Sequence, residues 1–249
     1  MILDRFSGLI FLGDSTVQTT YSAFNILLRQ NLALGALAQW ELSDSDRSRC
    51  RCENQFINPT CLAAAITSSA TVLQHDADSA HASPYTCARM PHIYLPIIEA
   101  PIPPTILDEL TTFINAQEIS DYKPIPIITS FSLSHSLSWP LTTTSMDTLT
   151  STLASPSITS SRSYPFLWLG PPAAGHLKPP SRILAEGNNA LWHFTIEMGR
   201  EARLRGWDAL GLYNETIQAS SWDGTSHGMR VGLVQAMMVI NWLARIEST

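Results

Sequence analysis

Basic charge is scarce in this chain. Only 15 Lys and Arg stand against 21 Asp and Glu, a formal net charge of −6, which argues against the basic face that a nucleic-acid backbone requires. Cations gather at Arg47, Arg49 and Arg51 and again at Arg200, Arg203 and Arg205, but acidic neighbours dilute both groups and they read as solvated faces. Charged residues of either sign make up just 14% of the chain against 45% hydrophobic, so core material is ample and disorder is excluded. Long apolar runs are also missing. The longest, Val231 to Ala244, is interrupted by Gln235 and Asn241 and is too short to span a bilayer. The N-terminus enters an apolar strand after a few residues, leaving no room for a signal peptide. The expectation is therefore a cytosolic protein, or one that has lost an upstream anchor.

Cysteine is rare but clustered: all four, Cys50, Cys52, Cys61 and Cys87, fall in one third of the chain. An even, clustered set suggests one or two disulfides and an oxidising compartment. Four free thiols in a cytosolic protein is the alternative, and a zinc site is a third, although Cys-x-Cys is not the usual Cys-x-x-Cys knuckle. Localisation thus stays open between cytoplasm and secretory lumen. Residues His75, Asp76, Asp78 and His81 are metal-ligand types in a spacing that matches no familiar site, so no metal and no cofactor is expected. The sequon Asn214-Glu215-Thr216 lies at the end of an expected core strand and is expected to be unused.

What is present is an alternation of strands and helices. Gly8 to Leu12 reads as a buried parallel strand, followed by a helical face of Val17, Tyr21, Phe24 and Leu28. A helix with Ile106, Leu110, Phe113 and Ile114 follows the pair Pro103-Pro104. Strands are expected over 124–131, 166–169 and 208–213. A stripe of Leu191, Phe194, Met198 and Ala202 marks a helix with Asn189 as a cap and Gly206 as a stop, and Val231, Val234, Met238 and Trp242 mark a closing helix. A weaker stripe, Met146, Leu149 and Leu153, runs through the Ser/Thr-rich stretch 141–163. The pattern implies one α/β domain over residues 1–249 with a parallel sheet covered on both faces, carrying an irregular cysteine-bearing insertion at about 41–100. No internal repeat is visible.

Two loops carry chemistry. Open α/β sheets place ligands at the carboxyl ends of their strands, and Gly13-Asp14-Ser15 lies there, at a helix N-terminus. Ser15 is either a helix cap or a nucleophile whose own amide and helix dipole favour a developing oxyanion. The loop Ser221-Trp-Asp-Gly-Thr-Ser-His-Gly228 sits at the same edge, between the last strand and the last helix. Within it Asp223 is close enough in sequence to orient His227. Serine, base and orienting carboxylate form the set that nucleophilic acyl transfer needs. The loop from Gly170 to Asn189 is expected to roof the pocket. Trp222, Trp192 and Trp139 are candidate apolar or sugar-stacking walls, and Asn188 or Asn189 a substrate contact.

These motifs resemble those of a known family. Gly13-Asp14-Ser15 and the late Asp223-x-x-x-His227 look like the first and last blocks of SGNH/GDSL hydrolases. Gly13-Asp14-Ser15-Thr16 and Trp222-Asp223-Gly224-Thr225 are most similar to fungal SGNH-type proteins related to the PC-esterase group, which includes plant polysaccharide O-acetyltransferases. The similarity extends over Gly187 to Trp192 and the Val234-Gln-Ala-Met-Met238 segment and thins in the middle. The resemblance implies a flavodoxin-like three-layer sandwich with a five-stranded parallel sheet, with Ser15 as nucleophile, His227 as base and Asp223 as its orienter. It implies a serine esterase or O-acyltransferase acting on a small-molecule or glycan ester. A repurposed enzyme of natural-product (secondary) metabolism that cyclises, isomerises or transfers, and a non-catalytic binding domain, are the other readings. The family's last block is Asp-x-x-His, one residue shorter than here, and its Gly-x-Asn-Asp block is missing. Between Gly35 and Gly170 there is no glycine at all, which leaves Gly35 for the family's second glycine. Ser132-Leu-Ser-His135 stands where a second oxyanion donor is expected, with His135 as either that donor or a satisfied structural histidine.

Overall fold

The computed structural model describes residues 5–78, 91–117, 123–158 and 162–247. Five strands build one sheet: β1 (Leu9–Gly13), β2 (His92–Pro96), β3 (Ile127–Ser130), β4 (Phe166–Leu169) and β5 (Asp208–Leu210). All pairings are parallel and the order is β2-β1-β3-β4-β5, the flavodoxin-like order. Strand order reverses between β1 and β3, so the crevice at the carboxyl ends of those two strands is the topological switch point where this architecture places ligands.

Side chains alternate across the sheet as the period of two demands. Leu9 and Phe11 of β1, Ile128 of β3 and Leu167 of β4 face one core, and Ile10, Leu12, Ile127, Phe166 and Trp168 face the other. The first face is covered by α1 (Ser15–Arg29) and the last long helix, Met229–Arg245. The second is covered by α2 (Pro104–Ala116), α3 (Trp139–Leu153) and α4 (Asn188–Leu204), with the last long helix numbered α5. Every strand residue from Leu9 to Leu12 is fully buried, which is why the strands read as continuous apolar runs rather than alternating ones. The expected three-layer α/β sandwich with a five-stranded parallel sheet is therefore what the chain forms.

Three expectations are corrected. The irregular segment does not run to residue 100, because His92–Pro96 is a sheet strand paired with the whole of β1. Its bounding prolines and its polar first residue hid a strand whose His92 is nevertheless buried. The α5 stripe is displaced. Gly232, Gln235, Ala236, Val239 and Trp242 face inward, while Val234 is 49% exposed. Apolar residues surround this helix, so hydrophobicity alone does not pick the face; the small Gly232 does, by letting α5 approach Thr19 and Ala23 of α1. Finally, α4 begins at Asn188 with Gly187 at its cap position, so Asn189 is not the cap.

The cysteine-bearing segment is a set of short helices. Cys50 and Cys61, both buried in the first core, form a disulfide, while Cys52 is an exposed free thiol. Cys87 and His81 lie outside the described residues. Among the described residues no three His, Cys, Asp or Glu side chains converge as a metal site would need, and no helix is long and apolar enough to cross a membrane.

Candidate active site

The turn between β1 and α1 is built by backbone crowding. Gly13 takes φ +154°, and a Cβ there would stand 2.1 Å from the Ser130 carbonyl oxygen, so β1 and β3 converge only because this residue has no side chain. The next residue, Asp14, is buried and caps the helix. Its Oδ1 accepts from the Thr16 amide at 3.0 Å and its Oδ2 from the Leu133 amide at 2.8 Å. Burial pushes its carboxyl above the ordinary value, and the Leu133 and Thr16 amides work against that rise. Capping is thus done by Asp14, not Ser15. Ser15 occupies the first helical position, exposed, and among the described residues no hydrogen bond engages its hydroxyl. Its amide, one of the four at a helix start, has no intrahelical acceptor.

The second loop follows β5 and a short helix, Tyr213–Thr216. Ser221 and His227 pair across it as an isolated antiparallel bridge, and Gly224 turns its tip with φ +83°. The Gly175 amide donates to the Gly224 carbonyl at 3.0 Å, tying this loop to the one after β4. Lys178, also in the β4 loop, completes the tie. Its buried Nζ donates to Thr225 Oγ1 at 2.7 Å and to Glu186 Oε2 at 2.5 Å. From the opposite side Glu53 accepts the Met229 amide at 3.0 Å, placing a carboxylate at the N-terminus of α5 directly after the loop.

Asp223 and His227 do not make the expected contact. The Asp223 carboxylate folds back onto its own loop: Oδ1 accepts from the amides of Thr225 (2.8 Å) and Ser226 (2.5 Å), and Oδ2 from the Ser226 hydroxyl (2.9 Å). This is the local turn that Asp favours, and the extra residue before His227 provides the amide that completes it. Burial raises the Asp223 carboxyl, but these bonds and the Lys178 charge outweigh it and the net shift is downward. His227 is 4% exposed, and among the described residues neither ring nitrogen makes a hydrogen bond of good geometry. Burial lowers its pKa below 6.5 against the opposing pull of the Asp223 charge and the Thr225 backbone. Burial thus favours the neutral imidazole over the imidazolium.

Ser15 and His227 share one cavity at the switch point, with Thr16, Leu133, Pro172 and Gln235 among its other walls. At about 20 Å³ it accommodates one water-sized group. Of the loop after β4, Pro172 lines this cavity.

The remaining expected site residues lie elsewhere. Gly35 sits beyond the far end of α1, its amide bonded to the Asn31 carbonyl at 2.8 Å and its missing Cβ 2.9 Å from Ile26 Cα. A helix of 15 residues is about 22 Å long, so Gly35 cannot donate to an oxyanion at Ser15. His135 is satisfied inside the fold: Nδ1 meets Ser134 Oγ at 3.0 Å and Nε2 meets Ser145 Oγ at 2.7 Å, and burial lowers its pKa to about 4. It is the structural histidine and not the donor. Asn188 bonds both backbone groups of Ala174 and lines a separate groove of about 520 Å³ with Gly175, His176 and Ser220. Asn189 is exposed in the first turn of α4. Trp222 is 41% and Trp139 46% exposed, and Trp192 packs on Tyr213 with ring centroids 5.2 Å apart; none of the three lines the Ser15 cavity. Sequence reasoning missed Gln235 in the cavity wall. Its signal was present, as a polar residue interrupting the longest apolar run of the chain.

Comparison with known proteins yields similarity to solved structures alone. No family model matches the chain, and no curated protein does. The native aryl esterase of M. smegmatis is similar over 64% of this chain and 80% of its own, at TM-score 0.46 and 13% identity. Est24, a carbohydrate acetylesterase from Sinorhizobium meliloti, is similar over 62% and 78%, at TM-score 0.42 and 11% identity. A lipase/acylhydrolase from Enterococcus faecalis is similar over 97% of both chains, at TM-score 0.40 and 11% identity.

Proposed function

We propose that this protein is an ester hydrolase of the SGNH type, with Ser15 as nucleophile and His227 as general base. One observation carries the reading. An exposed serine at a helix N-terminus and a buried histidine, whose ring nitrogens make no hydrogen bond of good geometry among the described residues, line the same small cavity at the switch point of a parallel sheet. In the reaction Ser15 Oγ attacks the acyl carbonyl while His227 takes its proton, and the Ser15 amide donates to the developing oxyanion. His227 then protonates the leaving alcohol. Water, or a second hydroxyl in an acyl transfer, releases the acyl group by the reverse proton path. Asp223 acts on His227 through its charge, favouring the imidazolium that forms during attack. The substrate is a small-molecule or glycan ester.

The test is a serine-reactive fluorophosphonate. Ser15 is labelled in the wild-type protein, and Ser15→Ala and His227→Ala each abolish labelling in folded protein. Unlabelled wild-type protein sinks the proposal. One feature favours the second reading, a repurposed enzyme of secondary metabolism that does not hydrolyse. Three loop groups occupy the Asp223 carboxylate, so His227 lacks the hydrogen-bonded orienter of a hydrolytic triad. Product analysis of a labelled, competent enzyme separates the two.

A further inference from the structure

Acyl transfer needs a second donor for the oxyanion besides the Ser15 amide, because losing one such donor costs on the order of 10²–10³ in rate. The sites expected to supply it do not. Gly35 is at the wrong end of α1, both nitrogens of His135 are engaged, and the Leu133 amide is spent on Asp14. The Thr16 hydroxyl is buried beside the Asp14 carboxylate and makes no hydrogen bond of good geometry among the described residues.

Resting on the hydrolase reading above, we infer that the side-chain amide of Gln235 is this second donor. Gln235 is 3% exposed, on the inward face of α5, and lines the cavity shared by Ser15 and His227. The Thr20 hydroxyl has one proton for two acceptors, the Thr16 carbonyl at 3.0 Å and Gln235 Oε1 at 3.1 Å, and its donation to Oε1 sets the orientation of the Gln235 amide. With Oε1 held, Nε2 has no acceptor among the described residues, and its protons are left for the cavity. Gln235 thus lies in the wall of the same small cavity as Ser15 and His227, where the oxyanion would form. As the bond from Ser15 Oγ to the acyl carbon forms, the carbonyl π pair moves onto its oxygen, and the Ser15 proton passes to His227. The resulting oxyanion takes hydrogen bonds from the Ser15 amide and Gln235 Nε2. When it collapses, the bond to the leaving alkoxide breaks and His227 returns the proton to that oxygen.

The experiment measures hydrolysis of 4-nitrophenyl acetate by the full chain, with active sites counted by fluorophosphonate titration. Gln235→Met keeps the side chain's length and removes the donor. Its kcat should fall by about 10²–10³ with KM little changed, the pattern of an interaction made only in the transition state. Gln235→Glu keeps the acceptor for Thr20 and sets a negative charge against the oxyanion; it should fall at least as far, and it carries the test if the Met variant does not fold. A kcat within about threefold of wild type in both variants overturns the inference while leaving the hydrolase reading standing. An amide turned the other way would present its oxygen to the cavity; Gln235→Met would then raise turnover, which also overturns it. A wild-type protein whose turnover is unchanged by Ser15→Ala removes the hydrolase reading itself and the inference with it.

Discussion

Removing the Cys50–Cys61 bridge tests how far the short-helix segment supports the site. The bridge joins residues 11 positions apart, and chain entropy alone assigns a loop of that length about 3 kcal/mol at 25 °C. The loop is not idle. It contains Glu53, which caps α5 beside His227, and Gln55, whose side chain accepts the Ala36 amide at 2.9 Å and donates to the Leu32 carbonyl at 3.0 Å. Each kcal/mol lowers the melting temperature of a domain of this size by about 2–4 °C, so the double variant Cys50→Ala/Cys61→Ala should melt about 6–12 °C below its parent. Both proteins should carry Cys52→Ser, since that exposed thiol is free to exchange with the bridge. Scanning calorimetry gives the shift, and intact mass under non-reducing, denaturing conditions gives the loss of two hydrogens for the bridge. A melting temperature within about 2 °C of the parent, or a mass without that loss, refutes the argument.

Other outcomes follow from buried polar groups. The pH profile of Ser15-dependent turnover should have its acid limb below 6.5, because burial lowers the His227 pKa, and Asp223→Ala should move the limb lower still by removing the opposing charge; a limb above 6.5 contradicts this. Glu186 would be raised by burial, but hydrogen bonds from Lys178 and Arg182 take its pKa below 4.5. It therefore contributes stability that is present above pH 4.5 and lost as pH falls through the lowered value. Lys178→Met should shrink that acid-side loss and cost up to about 3 kcal/mol near neutrality, the low end for breaking a buried pair, since Arg182 still faces Glu186; urea melts at two pH values read both. His135→Ala should cost about 2–4 kcal/mol by orphaning Ser145 and opening a void, with turnover per titrated Ser15 unchanged. A large loss of turnover at unchanged stability would return His135 to the site.

Much of the fold was legible because the buried strands and amphipathic helices each carry a clear period. Leu191, Phe194, Met198 and Ala202 are all buried on α4, and Phe166–Leu169 is the strand expected. Legibility failed where two signals competed. The strand His92–Pro96 is short, polar at its first residue and bounded by prolines, and its identity comes from pairing with β1, a tertiary fact. The α5 face was misread because small residues, not large apolar ones, mark the contact with α1. At the site, sequence spacing brought Ser15 and His227 to one sheet edge but could not say where carboxylates spend their hydrogen bonds. Asp14 was the cap that Ser15 resembled, and Asp223 turned into its own loop.

The hydrogen bond between Thr20 and Gln235 joins residues 215 positions apart. The cavity walls thus come from helices near opposite ends of the sequence, brought together only by the docking of α5 on α1. Closing so long a loop makes this pairing entropically unrewarded until the intervening sheet is in place. During synthesis, a nascent chain that has extruded four strands still has a half-built cavity, with Ser15 exposed and no base. On the proposed mechanism, reactivity at Ser15 would report completed folding: a chain arrested before Met229 docks, or unfolded locally at α5, should be silent to a serine probe even with its sheet intact.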